Sequence, residues 1–342
     1  MNRLGAAGGR PAAAVATCGR LAELDAKMAH GILRYCDHVV AVVDPRHAGG
    51  RLREIVPYAE CDVPVVAGLD DLPPGVEEIV VGAAPPGGAG DGAVLETVRD
   101  ALGRGLWVVH GLHTTFADHP DLADALDRLV ELRHVPLPDI VARGRCAELP
   151  GDRILTVASD CASGKMTTAL ELWSGLRRRG KDAAFVATGQ TGMYISGAGF
   201  PLDAVRADFA AGVVESYVLD HTDHDYTVVE GQGAITHPAY SGVSLALLHG
   251  AAPNKLVFCH DVGRSVLEYF DRSIEDLAGQ IALTERLAGV LRPATTVAVV
   301  AMSRGLDTAG ARAARQELSR VLSLPVFDAT EATDGLVEAI TR

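Results

Sequence analysis

Thr156-Val157-Ala158-Ser159-Asp160-Cys161-Ala162-Ser163-Gly164-Lys165-Met166-Thr167-Thr168 carries an apolar run into a turn of small residues, then Gly-Lys, then hydroxyl residues that open a helix. Such a turn lets consecutive backbone N–H groups converge on an anion, and the helix N-terminus adds partial positive charge. Asp160, Cys161 and Gly164 would line the cradle, and Lys165 would neutralise a phosphate oxygen. The usual phosphate-loop pattern places Gly at position 159 and Ser or Thr at 166, where this chain has Ser159 and Met166. The hydroxyl that would meet Mg²⁺ or a phosphate oxygen is then Thr167 or Thr168, and spacing does not choose between them. Cys161 reads either as a thiolate nucleophile at a helix start or as a small residue filling a crowded loop. The second reading is preferred, because the sequence assigns it no base.

Working outward, residues 154–158 read as a strand and 165–179 as a helix with a basic last turn, which suits the helix dipole. Further strands are expected at 183–187, 227–229, 255–259 and 296–302. In the N-terminal half, strands are expected at 39–44, 63–67, 78–81 and 106–109, with helices around 95–102 and 120–132. Strand–helix alternation of this kind means a parallel sheet with crossover helices, an α/β fold. Pro136, Pro138 and the stretch 143–152 look like a connection, giving two domains, 1–145 and 146–342. The Gly- and Pro-rich run 82–88 follows a strand but lacks dinucleotide-fingerprint spacing, so a connecting loop is preferred to a ligand site. Residues 1–14 are Gly-, Ala- and Pro-rich and read as frayed.

Composition narrows the class. At 342 residues, more than one hydrophobic core is expected. The chain is 48% hydrophobic but only 5% aromatic, as in α/β proteins made of short buried strands. Lys and Arg total 31 against 44 Asp and Glu, a formal charge of −13 that repels nucleic acid and anionic lipid. A phosphate site remains compatible with this charge, since local amides and one lysine suffice. The six cysteines form no C-x-x-C pair, and no run resembles a secretory signal or membrane span, so a cytoplasmic protein is expected. A symmetric homo-oligomer is the expectation for an α/β enzyme of this size.

A second cluster begins where Val228-Val229-Glu230-Gly231-Gln232-Gly233 ends a strand in a carboxylate and a glycine-flanked turn. Glu230 suits the acid that a strand beside a phosphate loop turns towards the metal, and Gly231 and Gly233 allow close backbone approach to phosphate. His237, Tyr240, Ser241 and His249 come next, a candidate catalytic or substrate-orienting set; each histidine also reads as a satisfied structural residue, and His249 and His260 carry weaker signals than His237. Gly189 and Gln190 stand at the end of another strand, at the same ligand-binding sheet edge. Asp203, Arg206, Asp208 and Glu215 lie at helical spacing.

In order, these motifs resemble one family: Asp160-Cys161-x-x-Gly164-Lys165-Met166-Thr167-Thr168, Gly189-Gln190-Thr191-Gly192, Asp203-Ala204-Val205 with Asp208-Phe209, Glu230-Gly231-Gln232-Gly233, His237-Pro238-Ala239-Tyr240-Ser241-Gly242-Val243 and Leu247-Leu248-His249-Gly250. Gly31-Ile32-Leu33-Arg34-Tyr35 and Gly111-Leu112-His113 fit it in the N-terminal half. The family, long catalogued as a domain of unknown function, includes D-glutamate N-acetyltransferases. The resemblance implies a Rossmann-like N-terminal domain and a P-loop NTPase-like C-terminal domain. The second domain also resembles dethiobiotin synthetase. Two departures stand out: Ala158-Ser159-Asp160-Cys161 where the family usually has Gly-Thr-Asp-Cys, and Leu21-Ala22-Glu23-Leu24-Asp25 where relatives differ.

The resemblance implies transfer of an acetyl group from acetyl-CoA to the amino group of a small amino acid, D-glutamate being the leading candidate. His237, Glu230 and Tyr240 are the candidate catalytic residues, with His237 as base. Asp160, Cys161, Gly164, Lys165, Thr167, Thr168, Gly189, Gln190, Gly231 and Gly233 would hold the cosubstrate, and Arg206, Ser241 and His249 the substrate. The alternative is an ATP-dependent kinase or carboxylate–amine ligase, with Thr167 and Glu230 on Mg²⁺. A third reading is a nucleotide- or CoA-sensing module without turnover.

Overall fold

The computed structural model describes residues 9–83, 89–328 and 333–342, so the 82–88 run read as a connecting loop lies largely outside the described residues. The chain forms two compact units, the first comprising Met1–Pro136 with Met193–Ala204 and the second Leu137–Gly192 with Val205–Arg342. Among the described residues, the strands make two six-stranded sheets in which all pairs are parallel.

In the first unit, β1 (Ala13–Ala16), β2 (Val39–Val43), β3 (Val65–Val66), β4 (Glu78–Val81), β5 (Trp107–His110) and β6 (Leu129–Glu131) lie in the order β3-β2-β1-β4-β5-β6. This is the strand order of the Rossmann fold. The connecting helices are α1 (Lys27–Tyr35), α2 (Leu52–Ile55) and α3 (Gly92–Gly103). Strand β1 begins at the end of the 1–14 stretch that the sequence reads as frayed, of which residues 1–8 lie outside the described residues. Alanine carries little strand signal, yet Ala13–Ala16 is buried throughout because it pairs with β2 on one side and β4 on the other. The helix expected over 120–132 is instead a 3-10 helix, Pro120–Arg128, followed by β6. Pairing with β5 at Val108–Leu129 and Val109–Val130 overrides the local helical periodicity.

Asp44, just past β2, occupies the position where Rossmann folds often hold a ribose. Its carboxylate is fully buried and already accepts from the Thr17 hydroxyl at 2.5 Å, the Leu21 amide at 3.0 Å, and the Arg46 and His47 amides at 3.0 and 3.1 Å. The segment Met193–Ala204, remote in sequence, is integrated into this unit. The buried Tyr194 hydroxyl donates to Glu78 Oε1 at 2.7 Å, His38 Nε2 lies 3.0 Å from it, and Phe200 is fully buried. Arg133 forks onto Asp203, with Nη2 at 2.6 Å from Oδ2 and Nε at 3.1 Å from both oxygens.

In the second unit, β7 (Asp152–Ala158), β8 (Ala183–Val186), β9 (Tyr226–Val229), β10 (Lys255–Asp261), β11 (Thr295–Met302) and β12 (Val326–Asp328) lie in the order β12-β11-β10-β7-β9-β8. The helices are α4 (Lys165–Arg178), α5 (Gln190–Ser196), which starts in this unit and continues into the first, α6 (Ala207–Leu219), α7 (Ser241–Ala251), α8 (Leu277–Ala288), α9 (Thr308–Leu322) and α10 (Thr333–Thr341). Ile154, Leu155, Phe258 and Val299 are essentially fully buried, and each such side chain contributes about 1.5–3 kcal/mol through removal from water. The chain's strand order turns back at β7, which lies between β9 and β10, so a crevice opens at the carboxyl ends of these strands.

Residues 137–152, read as a connection, are packed onto α6. A Cβ at Gly212 would collide with the Ile140 carbonyl. The fully buried Glu215 carboxylate accepts from the Arg143 and Arg145 amides at 3.1 and 2.9 Å and from Arg145 Nε at 2.8 Å. Of Asp203, Arg206, Asp208 and Glu215, only Asp208 and Glu215 lie within α6, two turns apart on one side of it, Asp208 exposed and Glu215 buried; Arg206 is its N-cap, and Asp203 precedes it and groups with the first unit.

Two predictions arise here. A fragment of residues 9–136 lacks Tyr194, Phe200 and Asp203, and is expected to show little cooperative unfolding by circular dichroism; a sharp transition for it would refute the integration of 193–204. Burial alone would raise the Glu215 carboxyl, but the Arg145 side chain and the two amides outweigh it and hold its pKa low. A carboxyl depressed on folding adds stability that is complete above its unfolded pKa, near about 4.3, and is lost as pH falls through the folded value. Glu215→Gln should therefore cost about 2 kcal/mol at neutral pH and much less at the acid end. Thermal melts across pH check this; an equal loss at every pH contradicts it.

Candidate functional site

β7 ends at Ala158 and runs into the loop. The Ser159 amide donates to Cys259 O at 3.2 Å, and its hydroxyl shares a 2.8 Å hydrogen bond with His260 Nδ1. Ser159 thus fills the place of the expected glycine as a buried, bonded side chain, and burial pushes the His260 pKa down. Ala162 (φ +49°) and Gly164 (φ +92°) take left-handed backbone conformations that close the turn. A Cβ at Gly164 would come within 2.7 Å of Met302 Sδ.

Three consecutive loop carbonyls each accept from a cationic side chain. Lys165 Nζ donates to Asp160 O at 2.8 Å, Arg264 Nη1 to Cys161 O at 2.9 Å, and Arg304 Nη2 to Ala162 O at 2.7 Å. Lys165 is only 6% exposed, and desolvation lowers its ammonium pKa. Arg304, by contrast, is 39% exposed and lies 3.9 Å from Asp261 Oδ2.

Asp160 is fully buried and bonded on both oxygens. Oδ1 accepts from the Cys161 amide at 2.7 Å, and Oδ2 accepts from Arg264 Nη1 at 2.9 Å and the Glu268 amide at 2.8 Å. Arg264 Nη2 also meets Glu268 Oε2 at 2.9 Å. His237 joins the network from the other side, with Nε2 3.7 Å from Asp160 Oδ1. Its Nδ1 accepts from the Ala239 amide at 3.2 Å, which places the proton on Nε2, from where it is donated to Glu268 O at 3.0 Å. The buried ring packs against Tyr240 at 4.8 Å and edge-on to Phe270 at 5.1 Å. In this arrangement His237 holds the segment after β10 and has no lone pair directed at a substrate. Ligand atoms of Asp160, Cys161 and His237 lie within 4.8 Å of one another, but those of Asp160 and His237 are already bonded within the protein.

Glu230, at the end of β9, is 5% exposed. Its Oε2 accepts from the Thr188 and Gly189 amides at 3.0 and 3.3 Å, at the start of α5, and the Thr188 hydroxyl donates to Glu230 O at 2.9 Å. Gly231 is required by close approach: a Cβ there would collide with the Thr156 carbonyl, and its amide donates to Thr156 Oγ1 at 2.9 Å. Gln232 binds Thr188 through its side chain, and Ser244 Oγ donates to Gln232 O at 2.8 Å. Gln190 is the first residue of α5 and Gly233 (φ +63°) closes the turn. The structure thus brings Thr188, Gly189, Glu230, Gly231 and Gln232 together beside β7.

The remaining candidates scatter. Thr168 is buried, its hydroxyl 3.5 Å from Cys259 Sγ, while Thr167 is half-buried. Tyr240 caps the start of α7 and Ser241 is its first residue, whereas His249 lies in the last turn, about 12 Å away along the axis. His249 Nε2 is buried with no hydrogen-bond partner among the described residues. Arg206 is 70% exposed, paired with Asp139 and lying 4.9 Å over the Phe209 ring.

Arg264, Glu268, Asp261 and Arg304 belong to none of the sequence motifs. A signal was present: the two arginines come soon after the ends of β10 and β11, at the sheet edge where open parallel sheets bind ligands.

A family model described as a domain of unknown function, DUF1611 C-terminal P-loop domain, matches residues 140–337, and the corresponding N-terminal Rossmann-like domain matches 45–135. The chain is 38% identical over 195 residues to a D-glutamate N-acetyltransferase from Pseudoalteromonas sp., covering 56% of this chain and 58% of that one. It is 38% identical over 211 residues to a D-glutamate N-acetyltransferase from Tritonibacter scottomollicae, covering 59% and 63%. The matches thus span about three fifths of the length of these relatives. A crystal structure of a DUF1611 family protein from Anabaena variabilis superposes with a TM-score of 0.91 at 34% identity, over 97% of this chain and 99% of that one. A Rossmann-like sheet, a phosphate loop on a second parallel sheet and similarity over nearly the whole length place this chain in the DUF1611 family.

Proposed function

We propose that this protein is an N-acetyltransferase that moves the acetyl group of acetyl-CoA to the amino group of a small amino acid, D-glutamate first among them. The similarity to two D-glutamate N-acetyltransferases motivates the substrate pair. The observation that carries the reading is the loop between β7 and α4, whose buried Lys165 stands at a helix start beside a left-handed glycine. The diphosphate of CoA suits such a cradle of amides and one ammonium.

The reaction joins the amine nitrogen to the thioester carbonyl carbon and breaks the carbon–sulfur bond. The ammonium proton passes to a base, and the departing thiolate takes up a proton. Backbone amides of the glycine-flanked turns are the candidate donors to the tetrahedral oxyanion. His237 serves as a positioning residue: its two ring nitrogens fix Glu268 O and the Ala239 amide, and Glu268 in turn fixes Asp160 and the loop. Among the described residues no helix is long and apolar enough to cross a membrane.

Incubating the protein with acetyl-CoA and single amino acids should release free thiol with D-glutamate and yield the N-acetyl product by mass spectrometry. No thiol release with any amino acid would refute the proposal. Lys165→Ala should lower kcat/KM by about 100-fold, chiefly through KM for acetyl-CoA. His237→Gln should reduce activity while leaving the pH dependence of kcat/KM in place; loss of its acid limb would instead identify His237 as the base.

A further inference from the structure

Phosphate loops commonly share the charge of their ligand between the lysine and a Mg²⁺ ion, which sits on the hydroxyl directly after that lysine and near an acid from a neighbouring strand. The residues here do not fit that ion. Position 166 is methionine, whose thioether is a soft ligand that Mg²⁺ does not favour. Thr167 lies about 100° further round the helix, and the Thr168 hydroxyl is buried against Cys259. The acid at the end of β9, Glu230, holds two amides of the β8–α5 turn. The other nearby carboxylates are also engaged: Asp160 by Arg264 and two amides, Asp261 by the Gly263 amide at 3.1 Å with Arg304 at 3.9 Å. Mg²⁺ needs several hard oxygen ligands in octahedral array, and this edge of the sheet offers few that are uncommitted.

The loop has positive charge of another kind. Lys165 and Arg264 are buried or nearly so, and Arg264 is matched by Asp160 and Glu268. Arg304 differs from both. Its Nη2 rests on Ala162 O at the loop, its side chain is 39% exposed, and only one carboxylate approaches it among the described residues, at 3.9 Å. A guanidinium carries five donors in a planar fork that matches two phosphate oxygens, so most of Arg304's donor capacity is left over after its bond to Ala162 O.

We infer that this loop binds its diphosphate without a divalent cation, and that Arg304, held beside the loop by the Ala162 carbonyl, supplies the charge that Mg²⁺ supplies elsewhere. The inference rests on the CoA reading above and favours a diphosphate diester, such as CoA, over a Mg²⁺–nucleoside triphosphate. Arg304 touches the ligand and leaves the reacting atoms alone.

Calorimetry of the full chain with CoA, in EDTA and in excess Mg²⁺, tests it, with pantetheine as a phosphate-free control. The expected result is a Kd for CoA that agrees within about twofold between the two buffers. Arg304→Ala should weaken CoA binding about tenfold to a hundredfold, and Arg304→Lys less, as expected for loss of a charge-assisted hydrogen-bonding pair. Pantetheine binding should be the same for the variant and the unmodified protein. CoA binding that requires Mg²⁺, an Arg304→Ala variant within about twofold of the parent, or equal weakening for CoA and pantetheine would each overturn this inference while leaving the CoA reading intact. No CoA binding by the unmodified protein in either buffer overturns both.

Discussion

A carboxylate with no exposed surface lies at the centre of the site. Removing the charge of Asp160 from water costs several kcal/mol unless donors replace the solvent, and here three do: the Cys161 and Glu268 amides and the Arg264 guanidinium. Those donors come from the loop itself and from the segment after β10, so the conformation of one fixes the other. Glu268 then passes the constraint to His237 through its carbonyl. His237, the candidate base of the sequence, thereby has both ring nitrogens bonded within the protein, and its tautomer is set by the Ala239 amide.

Parallel pairing brings the remaining parts to the same place. Strands β9, β7 and β10 run side by side in register, so the segments leaving their carboxyl ends converge: Glu230 after β9, the loop after β7, Asp261 and Arg264 at and after β10, and Arg304 after the next strand out. The close fit of β7 and the turn after β9 explains Gly231, because Thr156 O occupies the space of any side chain. The lysine and two arginines then satisfy three successive loop carbonyls whose backbone conformation leaves them without secondary-structure partners.

The sequence displays this sheet well where strands are β-branched and flanked by turn residues: β2, β4, β5, β7, β9, β10 and β11 were all legible within a few residues. It hides β1, whose alanines become a strand only by being sandwiched between β2 and β4, and β6, whose Leu-Val-Glu comes after a helical-looking run. The loop with Gly164 and Lys165 could be read because its chemistry is contiguous. Arg264 and Arg304 are marked only by standing soon after strand ends, since their meeting with Cys161 and Ala162 spans more than about a hundred residues. The spacing of Tyr240, Ser241 and His249 suggested a cluster, yet one helix carries the last two to opposite ends.

Glu230 shows how one local commitment has two consequences. By accepting from the Thr188 and Gly189 amides, it fixes the start of α5, and a Cβ at Gly192 would collide with its Oε2. Beyond α5's first turn the chain enters the first unit, where Tyr194, Phe200 and Asp203 are held by Glu78, the core and Arg133. A carboxylate used to anchor that departure has fewer lone pairs left for a metal. For the proposed diphosphate ligand, methionine in place of the metal-binding hydroxyl then carries little further loss, and positive charge can come instead from side chains after the ends of β10 and β11. On this view Met166, the bonds of Glu230 and the position of Arg304 are connected features of one loop.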